Sequence, residues 1–162
     1  MRWGIISDSH DHLDYLERAL EIFKEEGVSL ILHAGDFVSP FTARIFKKYP
    51  FQLIGVFGNN DGEKNGLRKA YQGIGEIYED FYIGEIDGYK VFIAHKEELV
   101  PYLARGGEFD FLVYGHTHIP RIERVGEGLI INPGECGGWL KGEPTVAILD
   151  PGKREAKIIH LK

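Results

Sequence analysis

Residues 111–118 read Phe111-Leu112-Val113-Tyr114-Gly115-His116-Thr117-His118. A short apolar run of strand character stops at a glycine and then presents two histidines two residues apart. Imidazole is the commonest protein metal ligand near neutral pH. Two such rings at i and i+2 just past a strand can aim at two neighbouring points. The same arrangement recurs four times. Trp3-Gly4-Ile5-Ile6 leads into Asp8-Ser9-His10, and Val28 to Leu32 leads into Gly35-Asp36. Phe51 to Phe57 precedes Gly58-Asn59-Asn60-Asp61, and Tyr89 to Ala94 precedes His95.

The segments between these runs set the fold class. Leu13, Leu16, Leu20 and Phe23 recur at offsets of three and four, so residues 12–26 are expected to be a helix, stopped by Gly27. Residues 40–48 read as a short helix. The first 60 residues therefore alternate strand and helix, which means βαβ units and a mostly parallel sheet with right-handed crossovers. Residues 62–76 are interrupted by glycines, with room for a helical turn around Leu67 to Tyr71. Asp87-Gly88 between Phe81–Ile86 and Tyr89–Ala94 is a hairpin signal. Residues 97–105 read as a helix with Pro101 in its first turn. Arg121 to Val125, Leu129 to Asn132, Thr145 to Leu149 and Ala156 to Leu161 read as strands, with turns at residues 126–128 and 151–153. The second half is expected to be strand-rich and mostly antiparallel. The expectation is one domain over residues 1–162, α/β at the start and α+β toward the C-terminus: two β-sheets with helices outside.

Composition narrows the function. The chain is long enough to bury a real core. A net charge of −6, with no run rich in Lys or Arg, argues against a nucleic-acid polymer as partner. The single cysteine, Cys136, rules out an intrachain disulfide and fits a reducing compartment. Residues 2–7 read as a strand rather than a signal peptide, and no apolar stretch approaches the ~18 residues that span a bilayer. A cytoplasmic protein without a membrane partner is expected. Oligomeric state is left open, a homo-oligomer included.

The candidate ligands are Asp8, His10, Asp36, Asn59, His95, His116 and His118. All fall at or just past strand ends, where parallel sheets bind ligands. Singly, each has an ordinary reading: a His at a strand end is usually structural, and Gly-Asp is usually a turn. Together they are two carboxylates, one amide and four imidazoles, with no cysteine. That exceeds what one structural zinc needs and suits two metals sharing a carboxylate. Mixed N/O ligation suits Mn²⁺, Fe, Zn²⁺, Co²⁺ or Ni²⁺, with Mn²⁺ the first choice. Such a pair activates a bridging hydroxide and clamps a phosphoryl group during in-line displacement. His33 lies two residues before Gly35 and could orient a ligand. His12 is expected in the first helical turn and His160 at a surface or edge.

Taken in order, Asp8-Ser9-His10, Gly35-Asp36, Gly58-Asn59-Asn60-Asp61, His95 and Gly115-His116-Thr117-His118 resemble the motif set of the calcineurin-like metallophosphoesterases. The Gly-His-Thr-His ending and Asn132-Pro133-Gly134 resemble the small bacterial and archaeal phosphodiesterase branch, whose fold also serves as the retromer scaffold subunit. The resemblance implies a two-sheet sandwich flanked by helices. It implies that Asp8, His10, Asp36 and His118 hold one divalent ion, and Asp36, Asn59, His95 and His116 a second, with Asp36 bridging. His10, Asn59 and Asn60 are the catalytic candidates.

Two positions depart from that pattern. Many members carry His where this chain has Asn60, whose amide donates a hydrogen bond but supplies no proton near pH 7. Lys96 stands where Gly is usual. The leading expectation is a dimetal phosphodiesterase acting on a small phosphodiester. The alternatives are a non-catalytic scaffold, which has no need of seven converging polar groups, and a phosphomonoesterase, which Asn60 disfavours.

Overall fold

The structure is a computed structural model that describes residues 1–162. Two sheets stack face to face with helices on both outer faces. In the first sheet the order is β11-β10-β1-β2-β3-β4, and in the second β5-β6-β7-β9-β8. The strands are β1 (Arg2–Ile6), β2 (Val28–His33), β3 (Gln52–Val56), β4 (Gly75–Tyr78), β5 (Phe81–Ile86), β6 (Tyr89–Ala94), β7 (Phe111–Val113), β8 (Arg121–Val125), β9 (Gly128–Asn132), β10 (Thr145–Asp150) and β11 (Glu155–His160). The helices are α1 (Leu13–Glu25), α2 (Ala43–Phe46), α3 (Lys64–Ala70) and α4 (Val100–Gly106).

Three apolar layers follow from the alternation of side chains along the strands. Between the sheets lie Trp3 and Ile5 of β1, Leu32 of β2, Val91 and Ile93 of β6, Phe111 and Val113 of β7, and Ala147 and Leu149 of β10. Outside the first sheet, Ile6 and Ile31 pack with Leu16, Leu20 and Phe23 of α1. Those three are buried members of the stripe expected from the sequence, and the fourth, Leu13 at the start of α1, is only partly buried against the same cluster. Outside the second sheet, Phe92, Leu112 and Ile130 meet Val100 and Ala104 of α4. Strands buried on both faces read as continuous apolar runs, which is how β1, β7 and β9 look in the sequence.

Several expectations are refined. His12 caps α1, its Nδ1 accepting the N–H of Tyr15 at 3.4 Å. Residues 40–48 form a single 3₁₀ turn, Pro40–Thr42, followed by the short α2. The helix expected from residue 97 starts at Val100, with Pro101 in its first turn. Gly75–Tyr78, within and beyond the glycine-interrupted stretch, forms a fourth strand parallel to β3. The expected antiparallel pairing of the second half holds for the hairpins β5–β6, β8–β9 and β10–β11. It does not hold at the centre of the second sheet, where β6, β7 and β9 run parallel. β10 returns to pair antiparallel with β1. His160 ends the edge strand β11 and is exposed.

That parallel centre positions the site. β1, β2 and β3 of one sheet and β6, β7 and β9 of the other send their carboxyl ends to one edge of the sandwich.

Candidate metal centre

All seven candidate ligands gather at this edge. Asp8 and Asp36 are fully buried, His95 and His118 nearly so, His10 partly, and Asn59 and His116 are exposed. Asp8 Oδ1 lies 3.5 Å from His10 Nε2, 3.4 Å from His118 Nε2 and 3.9 Å from His95 Nε2. Asp36 Oδ2 lies 3.2 Å from His10 Nε2 and 3.4 Å from His95 Nε2. His116 Nδ1 is 3.1 Å from Asn59 Oδ1 and 3.2 Å from His95 Nε2. Two groupings close enough to share an ion stand out: Asp8 with His10 and His118, and Asp8 with Asp36 and His95.

The backbone is bent to make this possible. Asp8, His10, Asp36, His116 and His118 all have positive φ, between 44° and 65°. Asp and His tolerate this region better than most residues, but each still stores on the order of 1 kcal/mol. Backbone hydrogen bonds between loops hold the strain: Asp8 N–H to Gly35 O at 3.0 Å, His10 N–H to Asp36 O at 3.1 Å, and Gly115 N–H to His95 O at 2.9 Å. Two glycines are required by close approach. A Cβ on Gly58 would run into Asp36 Oδ1 and come to 2.5 Å from Asp36 N. One on Gly115 would run into Ser7 Oγ and reach 2.8 Å from Asp8 Oδ2.

A further set of contacts aims the ligands. Asp8 Oδ2 accepts from Ser7 Oγ at 2.6 Å and from His116 N–H at 3.0 Å, which leaves Oδ1 toward the centre. His95 Nδ1 pairs with Ala34 O at 2.8 Å, so its Nε2 points inward. Asn60 grips Asp36 twice: its N–H donates to Oδ1 at 2.9 Å and its Nδ2 to Oδ2 at 3.0 Å. Asp61 accepts from Gly58, Asp36 and Val38 N–H groups and so ties the β2 and β3 loops together. His33 is buried, accepts Gly35 N–H on Nδ1 at 3.1 Å and lies 3.4 Å from Ser9 Oγ, so it touches the loops that carry Asp36 and Asp8 rather than a candidate ligand itself.

Glu135 had no signal in the sequence beyond its place after Asn132-Pro133-Gly134. Its carboxylate is fully buried and lies 2.8 Å from His118 Nδ1. The approach is off the hydrogen-bond line, so the two groups are in close contact without a hydrogen bond. Asn132 in turn donates to Gly115 O and Thr117 Oγ1.

The electrostatics favour a cation. The carboxylates of Asp36 and Asp8 beside it raise His10 to about 10 against the opposing effect of burial. Burial pushes Asp36 up, but His10 and His95 reverse that and hold it well below the usual carboxylate range. Burial lowers His33 to about 3, so it is neutral. His116 is lowered by burial and then by the charges of His95 and, further down, Lys96. Asp8 Oδ1 is buried without a hydrogen-bond partner. An unpaired buried carboxylate oxygen is costly unless something electropositive sits beside it. The N/O donor set fits a divalent first-row metal.

A sequence profile of the calcineurin-like phosphoesterase superfamily domain matches residues 1–154. This chain belongs to the calcineurin-like phosphoesterase superfamily. Within that superfamily it is 43% identical to a phosphodiesterase of Methanocaldococcus jannaschii, over the full length of both. It is 27% identical to the phosphodiesterase YfcE of Escherichia coli, covering 90% of this chain and 84% of YfcE. Against the solved structure of an archaeal phosphodiesterase the TM-score is 0.93 at 42% identity, covering 99% of each chain. Zinc-bound Vps29 of Entamoeba histolytica shares the fold, with a TM-score of 0.68 at 16% identity and full coverage of both chains. The two-sheet, helix-flanked architecture is thus that of the superfamily, and its metal-dependent character matches the ligand clusters at the sheet edge.

Proposed function

We propose that this protein hydrolyses small phosphodiesters with two divalent metal ions. The observation that carries the reading is the pair of buried carboxylates, Asp8 and Asp36, each within 4 Å of more than one imidazole Nε2. Asp8, His10, Asp36 and His118 hold one ion. Asp36, Asn59, His95 and His116 hold the other. Asp36 would be the shared ligand: its Oδ2 approaches both His10 and His95, at 3.2 and 3.4 Å, more closely than Asp8 Oδ1 does at 3.5 and 3.9 Å. When bound, such ions supply Lewis acidity toward phosphoryl oxygens and lower the pKa of water.

The chain's own groups do the rest. Ser7 and the His116 N–H orient Asp8, Ala34 orients His95, and Asn60 holds Asp36. His10 is only part-buried, so it can meet substrate as well as the two carboxylates. Asn60 offers no proton and already spends an amide N–H on Asp36, so departing oxygens leave without help from that position. This favours diesters over monoesters with poor leaving groups. The relatives named phosphodiesterases support the same class. The likeness to Vps29 concerns the fold and carries no activity.

The test is elemental analysis of the purified chain beside assays with bis(p-nitrophenyl) phosphate and p-nitrophenyl phosphate, before and after chelation. Two ions per chain and diesterase activity restored by Mn²⁺ are expected. A stoichiometry of one ion would remove the dimetal reading. No diester turnover with Mn²⁺, Ni²⁺, Co²⁺, Zn²⁺ or Fe²⁺ would remove the activity.

A further inference from the structure

Beside His95 and Asn59 the surface drops into a cavity of about 400 Å³. That is the size of a small-ligand site. It lies at the seam of the two sheets: Phe57 and Asn59 follow β3, Phe81 opens β5, and Lys96 and Leu99 follow β6. Phe81 is in register with Ala94, the residue just before His95. The ring is therefore carried by the strand next to the one that delivers a ligand.

Phe81 is 45% exposed and Leu99 50% exposed. Leaving large apolar side chains in water forgoes hydrophobic stabilisation, and here two of them line one concavity beside the metal centre. Lys96 enters no ion pair, whereas Lys64 on the same cavity lies 3.9 Å from Glu79. Asp80 and Glu98 add two carboxylates to the lining. An apolar wall with acceptors, and an unpaired ammonium adjoining His95, suits a flat ring with a polar edge joined to a phosphate. A plain alkyl arm would leave the carboxylates and ammonium desolvated without partners. A nucleic-acid strand would bring further phosphates against the carboxylates, at a net charge of −6.

We propose that this cavity binds one ester arm of the substrate, that the arm is a flat heteroaromatic group with a nucleoside as the concrete case, that Phe81 is its stacking surface, and that Lys96 meets an oxygen of the phosphate. The inference rests on the diesterase reading. Its test is calorimetric titration of the Mn²⁺-loaded full chain with thymidine 5′-phosphate and with methyl phosphate. The nucleotide is expected to bind about tenfold more tightly, within the range for base stacking on an aromatic side chain. In Phe81→Ala that ratio falls toward one. Leu99→Ser, checked with Phe81→Ala by circular dichroism for retained fold, lowers it by a smaller factor. Lys96→Met weakens both ligands by the same factor. Equal affinities in the wild-type chain would overturn the subsite, as would a Phe81→Ala variant that loses both ligands alike or neither. A Lys96→Met loss confined to the nucleotide would overturn its contact with the phosphate. Inactivity toward bis(p-nitrophenyl) phosphate with the tenfold preference intact would instead sink the diesterase reading and leave the subsite standing.

Discussion

Glu135 Oε2 lies 2.8 Å from His118 Nδ1, with the Glu135 side chain fully buried and that of His118 only 9% exposed. The same carboxylate accepts the N–H of Leu140 at 2.7 Å and of Lys141 at 3.1 Å. One acidic group thus abuts an imidazole of the candidate metal centre and holds the glycine-rich loop beside it. A carboxylate behind a ligating histidine fixes ring orientation and raises ligand basicity.

Removing that support should be felt at the metal. Glu135→Ala is expected to lower divalent-ion affinity about 10- to 100-fold. Glu135→Gln should fall between the two, because the amide keeps an acceptor but loses the charge. Isothermal titration with Mn²⁺ measures this directly, and unchanged affinity in both variants would show that His118 needs no partner at Nδ1.

Asp36→Asn should weaken both ions and abolish turnover, since Asp36 Oδ2 approaches His10 and His95 alike. Metal content and bis(p-nitrophenyl) phosphate hydrolysis are the readouts. Two tightly held ions and normal activity would dismiss Asp36 as the shared ligand.

Gly58→Ala tests the close approach of the β2 and β3 loops. The new methyl must push against Asp36 Oδ1 and N, an overpacking cost of about 1–3 kcal/mol. The variant should fold with a lowered Tm and lose metal affinity with it. A variant with wild-type Tm and metal content would mean that the loops part at no cost.

Asn60→His introduces a group that titrates near neutral pH. It should speed diesters with poor leaving groups and leave activated aryl esters nearly unchanged. General-acid help reaches ~10²–10⁴-fold when well placed, and the gain here should be smaller, because the substitution also removes the Nδ2 hydrogen bond to Asp36. The measurement is log kcat/KM against leaving-group pKa for both proteins, with metal content checked. Parallel lines would take position 60 off the leaving-group side.

Much of this was determined by the sequence alone. Buried strands announce themselves as short apolar runs, the stripe Leu13, Leu16, Leu20 and Phe23 announces α1, and Asp87-Gly88 announces a hairpin whose two turn residues take φ of 50° and 85°. The seven candidate ligands at strand ends are legible because a metal demands particular donor atoms, and those are written in the residue names. Partnership was not legible. Side-chain periodicity says that a residue is buried and on which face, but not which distant strand lies beside it. Only the tertiary structure decided that β10 closes on β1, that β6, β7 and β9 run parallel, and that both sheets therefore empty their carboxyl ends at one edge. Glu135 belongs to the same class. An isolated Glu after a turn carries no mark of its role, and it becomes a partner of His118 only because the end of β9 is brought beside the end of β7, where burial leaves its charge nothing else to face but that imidazole and two backbone N–H groups.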